Sequence, residues 1–269
     1  MAYTADHLEH SRAEGFGPLP VLRAALAAML ELKGGPVRLL DCGCGTGFFT
    51  RQYARLPGVT AVGLDMDGTL LSAARKLAEK EGLSTEFVQG DITKLPYPDD
   101  SFDAAASDIL LEIFPDKTVP IGELVRVCRP GGRVLCMEPN YLSAVYYDPR
   151  LTAEDNRLWI QFQQAGRAFG AGVELPDAMR RSGLGDLQIV PWLWGGLKED
   201  GEAPEEAYLQ ERNAELDRGV QLGLVPESDA EQYRALFRRS AAARRKGSAA
   251  VLRGINVYLV CGQKPDASK

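Results

Sequence analysis

The sequence predicts an α/β fold built on a mainly parallel sheet. Three observations carry this expectation. Short apolar runs alternate with helically periodic runs between residues 37 and 140. The first apolar run, LLDCGCGTG at 39–47, ends in an acid and then alternates glycine. A second acid, Asp65 in VGLDMD, closes the next apolar run. Strands alternating with helices favour parallel sheets with right-handed crossovers. In such sheets ligands sit beyond the carboxyl ends of the strands.

Residues 20–33 have helical periodicity, stopped by Gly34-Gly35. Residues 37–42 read as the first strand, and 48–55 as a helix opening directly after the glycine loop. Residues 59–65 form a second apolar run. The stretch 69–80 is amphipathic, with Leu70, Leu71, Ala74, Leu77 and Ala78 on one side and Gly82 as the stop. Residues 85–89 and 102–108 supply a third and a fourth strand, and 121–128 a helix. RPGG at 129–132 predicts a turn before a fifth strand over 133–138. Farther on, 151–169 and 175–182 read as helices, and 187–194 and 251–261 as strands. Residues 195–250 between those strands read as helical, polar and charged.

Four segments follow from this pass: a helical N-terminal cap (1–33), a cofactor-binding core (34–140), a helical lid insertion (141–183), and final strands (184–269) carrying a helical insertion at about 196–249. The stretches that interrupt the alternation, 1–33, 140–172 and 195–250, are expected to pack over the ligand edge as a lid.

The chain has 269 residues, 45% of them hydrophobic and 25% charged, which allows a sizeable core. Its formal charge of −6 argues against a long nucleic-acid track. Five cysteines, an odd number set mostly in apolar runs, predict reduced thiols and a cytoplasmic location. Cys42 and Cys44 have no second Cys or His pair at zinc spacing, the histidines being His7 and His10, so no metal is expected. The opening MAYTADHLEHSR is polar and lacks a signal-peptide pattern, and the apolar stretch 21–32 is too short for a bilayer. No membrane partner is expected, and the assembly expected is a monomer or a homodimer.

The glycine loop can be set against the dinucleotide pattern G-x-G-x-x-G, whose third glycine serves helix packing. Here the spacing is G-x-G-x-G, Gly43, Gly45 and Gly47, and Phe48 stands where that glycine belongs. Asp41, closing the strand, can accept from an ammonium group. Nicotinamide cofactors carry none, whereas the methionyl part of S-adenosylmethionine does. Asp65, about 20 residues on, suits two ribose hydroxyls. Asp91, in GDITKLPYPDDSFD, can accept from an adenine amino group, although a loop aspartate can equally cap a turn.

With LLDCGCGTG, VGLDMD, GDITKLPYPDDSFD and LVRVCRPGGRVLCMEPN in this order over residues 37–140, the chain resembles the class I S-adenosylmethionine-dependent methyltransferases of the small-molecule type. The resemblance implies a Rossmann-like seven-stranded sheet, mainly parallel with the last strand antiparallel, plus helical lid insertions. It implies Gly43, Cys44, Gly45 and Gly47 against the methionyl and ribose parts, with Asp41 near the amino group. Asp65 would bind the ribose hydroxyls, with Met66 packed on adenine. Asp91 and Ile92 would meet the adenine, and Ser107 would contact the methionyl end through its backbone. The chain departs from the family at three points. Many relatives carry a histidine after the fourth strand, where this chain has DILLEIFP with Ile113 and Phe114. No NPPY-like signature follows that strand, and a long helical insert joins the last two strands.

The activity so implied is in-line methyl transfer to an O, N, S or C atom of a small molecule. Alternatives are a nucleotide or peptide methyltransferase and a non-catalytic S-adenosylmethionine-binding protein; an NAD-linked reductase is disfavoured by the loop spacing. The candidate bases are Asp108, Glu112, Glu138 and Tyr141, with Tyr146 and Tyr147 behind them, although each also fits a capping or hydrogen-bonding role. Tyr146, Tyr147, Trp159, Phe162, Phe169, Trp192 and Trp194 suggest an aromatic or apolar acceptor pocket, or ordinary core. Arg12 could clamp a carboxylate. Arg234, Arg238, Arg239, Arg244, Arg245, Lys246 and Arg253 form a basic stretch facing the acids of 199–215. They read either as a solvated helix pair or as an anion site.

Overall fold

A computed structural model describes residues 9, 12–13, 15–32, 35–165, 171–199, 205–221, 223, 225–245, 247 and 249–266, the side chains of 171 and 197–199 excepted. His7, His10, Phe169 and Lys246 lie outside the described residues, as does the side chain of Glu199.

The described elements run α1 (Leu19–Met29), β1 (Val37–Cys42), α2 (Phe48–Ala54), β2 (Val59–Asp65), α3 (Gly68–Lys80), β3 (Glu86–Gln89) and β4 (Phe102–Asp108). After them come α4 (Thr118–Val127), β5 (Cys128–Tyr147), α5 (Ala153–Gln164), α6 (Ala171–Arg181), β6 (Gly185–Glu199), α7 (Glu205–Gln221), α8 (Glu227–Arg244) and β7 (Ala250–Gln263). The seven strands form one sheet in the order β3-β2-β1-β4-β5-β7-β6. It is mostly parallel, with the last strand antiparallel. β1 pairs in parallel with β2 (Val37↔Val59 to Cys42↔Leu64) and with β4 (Leu39↔Ala104 to Cys42↔Ser107). That register brings Asp41 and Asp65, and likewise Ser107 and Asp108, to the carboxyl edge of the sheet.

The elements form for local reasons. β1 is buried from Leu39 to Cys42, as a central parallel strand covered on both faces must be. α3 opens on Asp67, whose carboxylate accepts from the N–H groups of Thr69 and Leu70. It buries Leu71, Ala74 and Ala78. α1 stops at Met29, short of the glycine pair, because Glu31 turns left-handed (φ 49°) and its carboxylate pairs with buried Arg133. RPGG does not precede the fifth strand but interrupts it. The β4–β5 register jumps from Phe102↔Cys128 to Ala104↔Arg133, and Gly131 (φ 74°) turns the chain inside that irregularity. The strand then runs on through Pro139 to Tyr147 instead of ending at Glu138.

The chain divides into two compact units. One holds residues 1–139, 171–192 and 257–269. Its core packs Leu40, Val62, Leu64 and Val134 of the strands with Ile121 and Leu124 of α4 and Leu175 and Met179 of α6. The other holds residues 140–170 and 193–256. Its core is aromatic: Trp159 and Phe162 of α5 against Tyr233 and Phe237 of α8, with Tyr146 stacked on Trp159 at 5.0 Å. The side chains of Tyr146, Trp159 and Phe162, candidates for an acceptor pocket, are therefore spent on one another. Most of the basic stretch is likewise engaged. Arg234 pairs with Asp217, Arg238 with Glu231, Arg239 with Asp155 and Arg245 with Glu205, at 2.6–3.1 Å. Arg244 lies 4.6 Å over the ring of Tyr208. Among the described residues no helix is long and apolar enough to cross a membrane.

Candidate active site

The glycine loop joins β1 to α2 through three left-handed residues, Gly43, Gly45 and Gly47 (φ 74°, 54° and 75°). Such angles are costly with a Cβ. Two of the glycines are also required by packing. A Cβ at 43 would collide with Leu110, and one at 47 would lie 2.7 Å from the ring of Phe87. A Cβ at 45 would meet nothing within 4 Å, so the loop is open to a ligand at this position. Cys44 turns its side chain away, into the cluster of Leu71, Ala74 and Phe87.

Asp65 holds the loop in place. One carboxylate oxygen accepts from the N–H of Gly45 at 2.8 Å and the other from that of Asp67 at 2.9 Å. Beside it is an open concavity lined by Gly43, Asp65, Met66, Asp91 and Ile92, with Leu110, Ile113 and Phe114 as its far wall. Five residues expected from the sequence thus meet in one place. Asp91 both lines this concavity and caps a turn. Its carboxylate accepts from the N–H and hydroxyl of Thr93, each at 2.8 Å, and these bonds hold its pKa below the usual carboxylate value. Met66 and Ile113 are 71% and 66% exposed, apolar surface suited to a planar ring. The wall made by Leu110, Ile113 and Phe114 had no signal in the sequence beyond standing where relatives carry a histidine.

Deeper at the strand ends lies a group of acids. Asp41 is buried. One of its oxygens accepts from the Thr50 hydroxyl at 2.5 Å, and the other has no partner among the described residues. Burial raises its pKa to about 7, against the pull of Thr50 and Arg12. Asp108, also buried, accepts from the Tyr53 hydroxyl at 2.9 Å. Burial first and Asp41 second push its pKa well up. The hydroxyl of Ser107, fully buried, has no partner among the described residues. Arg12 is the nearby cation, lying 5.8 Å from the Phe49 ring centroid. Burial lowers its pKa while Asp108, Asp41, Glu9 and Glu138 support the charge. Among the described residues no group of three or more His, Cys, Asp or Glu side chains is arranged to hold a metal ion.

These features fit an S-adenosyl group: an unsatisfied buried carboxylate oxygen for an ammonium, an acid at the pocket for a diol, and apolar walls for a purine. The family profile described as Methyltransferase domain matches residues 40–136. The demethylmenaquinone methyltransferase of Bacillus licheniformis is 30% identical over 172 residues, covering 58% of this chain and 74% of the relative. The chain belongs to the class I S-adenosylmethionine-dependent methyltransferases. Another relative, the demethylmenaquinone methyltransferase of Thermus thermophilus, is 39% identical over 113 residues. The chain spans about half the length of that relative, with 42% of this chain and 51% of the relative matched. Phosphoethanolamine N-methyltransferase 2 of Haemonchus contortus, solved with S-adenosyl-L-methionine, has a TM-score of 0.53 at 18% identity over 91% of this chain and 53% of that one. At that identity the likeness shows the methyltransferase fold.

The candidate bases fall in different places within this methyltransferase. Asp108 belongs to the buried acid group, its pKa pushed well above the usual carboxylate value by burial and by Asp41. Glu138 is fully buried, its pKa pushed up to about 8 by burial against the N–H groups of Leu110, Leu111 and Glu112. Glu112 is half-buried in the turn after β4, its N–H donating to Glu138. Tyr141 belongs to the other unit, packed with Ala144 and Ile255.

Proposed function

We propose that this chain transfers a methyl group from S-adenosylmethionine to a small, planar or apolar acceptor. The observation that carries this reading is the concavity at the carboxyl ends of β1–β3, which gathers Gly43, Asp65, Met66, Asp91 and Ile92. The names of the relatives, demethylmenaquinone methyltransferases, support a ring-containing small-molecule acceptor.

When bound, S-adenosylmethionine supplies a methyl group already activated on a sulfonium sulfur. Asp41 would accept from the ammonium through its unsatisfied oxygen, which favours its ionised form. Asp65 has both oxygens on backbone N–H groups yet keeps lone pairs for a ribose diol. Met66, Ile92 and Ile113 would sandwich the purine and exclude water. The protein's share of the chemistry is then alignment and water exclusion. A base is needed only for an acceptor whose proton is tightly held. None of the buried acids at the strand ends is placed against an acceptor, so this reading assigns no general base. The S-adenosylmethionine core lies within residues 34–140, and a cytoplasmic enzyme without a metal remains our reading.

A nucleotide or peptide acceptor has less support. It draws on the basic stretch, where Arg234, Arg238, Arg239 and Arg245 are each held by a carboxylate. The deciding experiment incubates the protein with methyl-labelled S-adenosylmethionine and a panel of hydroquinones, phenols, amines and thiols, read by mass spectrometry. The reading expects label in at least one ring-bearing acceptor. Intact binding of S-adenosylhomocysteine with no transfer to any of them would favour a non-catalytic binding protein.

A further inference from the structure

The residue behind the pocket wall has no role so far. Glu138, on β5, is 0% exposed, yet its carboxylate is fully used. One oxygen accepts from the N–H groups of Leu110 (2.9 Å) and Leu111 (2.6 Å), and the other from that of Glu112 (3.3 Å). Three successive backbone donors thus converge on one side chain from 26–28 residues away along the chain. The residue before them, Ile109, is a β-branched residue in the left-handed region (φ 56°), its N–H bonded to Met137 at 2.7 Å. That conformation persists only where the surroundings impose it. The hydrogen bonds of Met137 and Glu138 are what impose it here. The strand that carries Glu138 is itself held closely. A Cβ at Gly172, on α6, would lie 2.7 Å from the Glu138 carbonyl oxygen.

We propose that Glu138 is the positioning residue of the cofactor pocket. Its carboxylate fixes the backbone of 110–112, and with it the wall of Leu110, Ile113 and Phe114. Leu110 rests directly on Gly43, so the hold reaches the glycine loop as well. Glu138 acts through the wall and does not touch the acceptor or take its proton. This rests on reading the concavity as the S-adenosylmethionine site, and it removes Glu138 from the candidate bases. The three bonds leave no donor unsatisfied in the turn after β4. A buried backbone N–H without a partner is costly, so loss of the carboxylate must move the turn.

The test compares Glu138→Ala and Glu138→Gln with the native chain in three readouts: amide hydrogen exchange without cofactor, calorimetric affinity for S-adenosylhomocysteine, and turnover against pH once an acceptor is known. Glu138→Ala is expected to speed exchange at residues 110–112 selectively and to weaken S-adenosylhomocysteine by about tenfold. Turnover at saturating cofactor is expected to stay within about threefold, with an unchanged pH profile. Compared above about pH 8, where Glu138 is ionised, Glu138→Gln keeps the oxygen that serves Leu110 and Leu111 but turns an amide donor toward Glu112. Faster exchange is then expected at Glu112 alone, and affinity close to native. If the alanine variant does not fold, this single-site difference decides the matter.

Turnover lost in Glu138→Gln with affinity and exchange unchanged would make Glu138 a base and overturn the proposal. Exchange rising evenly along the chain would reduce it to a general structural residue, and affinity unchanged despite a loosened turn would separate the wall from the cofactor. A native chain that binds no S-adenosylhomocysteine would refute the cofactor reading itself. The exchange readout would still show, without any cofactor, whether Glu138 holds the turn.

Discussion

Buried carboxylates behave in opposite ways in the two units. In the unit of residues 140–170 and 193–256, Asp148 and Asp155 are 2% and 6% exposed, and each is held by an arginine, Arg150 or Arg239, at 2.7 Å. Those arginines hold both pKa values below the usual carboxylate value, although burial alone would raise them. In the unit that carries the glycine loop, Asp41 and Asp108 are as buried, but each keeps an oxygen with no partner among the described residues, and burial raises both pKa values. The first pattern is that of structural ion pairs. In the second, Arg12 offsets only part of the desolvation cost, and each acid keeps an acceptor free for a further cation.

Breaking the structural side should have the largest effect. Asp148→Ala leaves Arg150 without its carboxylate and is expected to cost about 3–5 kcal/mol in denaturant unfolding. Asp41→Asn should be neutral or stabilising for the protein without cofactor while abolishing tight S-adenosylhomocysteine binding. An equal loss of stability in the two variants would erase the contrast. Next in size, Asp65→Ala should weaken S-adenosylhomocysteine by about 1–3 kcal/mol in calorimetry. Part of that loss comes from freeing the N–H groups of Gly45 and Asp67. An unchanged affinity would place the ribose elsewhere.

The pH dependence sharpens the contrast further. Burial raises Asp41 to about 7, so the folded chain keeps a proton that the unfolded chain has already lost. The native state then binds more protons than the unfolded state between about pH 4 and 7, and stability must fall as pH rises through that window. Thermal melting should show this decline, reduced in Asp41→Asn. An ammonium favours the ionised carboxylate, so S-adenosylhomocysteine should bind more tightly as pH rises toward 7. Gly45→Ala is expected to cost about 1–2 kcal/mol of stability from the left-handed backbone alone, because no atom lies within reach of the new Cβ. Its cofactor affinity should fall more than its stability, whereas Gly47→Ala should lose both.

The bounds of β1, β2 and β4 were legible in the sequence, since each is a short, mainly apolar run that ends at an acid or a glycine turn. Gly43, Asp65 and Asp91 stood out by their spacing, and Met66 and Ile92 only through the family resemblance; the structure gathers all five at one concavity. The bounds of β5 were not legible, because RPGG reads as a turn and the apolar run stops at Glu138, whereas the sheet absorbs the first as a register shift and continues past the second. The role of Glu138 was invisible, since its partners are backbone N–H groups that no residue pattern announces. The aromatics of the second unit left two readings open for a related reason. Trp159, Phe162 and Tyr146 have the composition of a ring-binding pocket, and only their mutual contacts, together with the Trp159 N–H bonded to Ser240 at 2.9 Å, identify them as core.

The most direct test of the account is calorimetric titration of the native chain and Asp41→Asn with S-adenosylhomocysteine, across pH 6 to 8 in buffers of different ionisation enthalpy. The account predicts one-site binding by the native chain, with proton release that fades above about pH 7, and loss of both affinity and proton release in Asp41→Asn. Native binding without linked proton release, or equal affinity in the variant, would contradict the claim that the unsatisfied carboxylate of Asp41 receives the cofactor's charge.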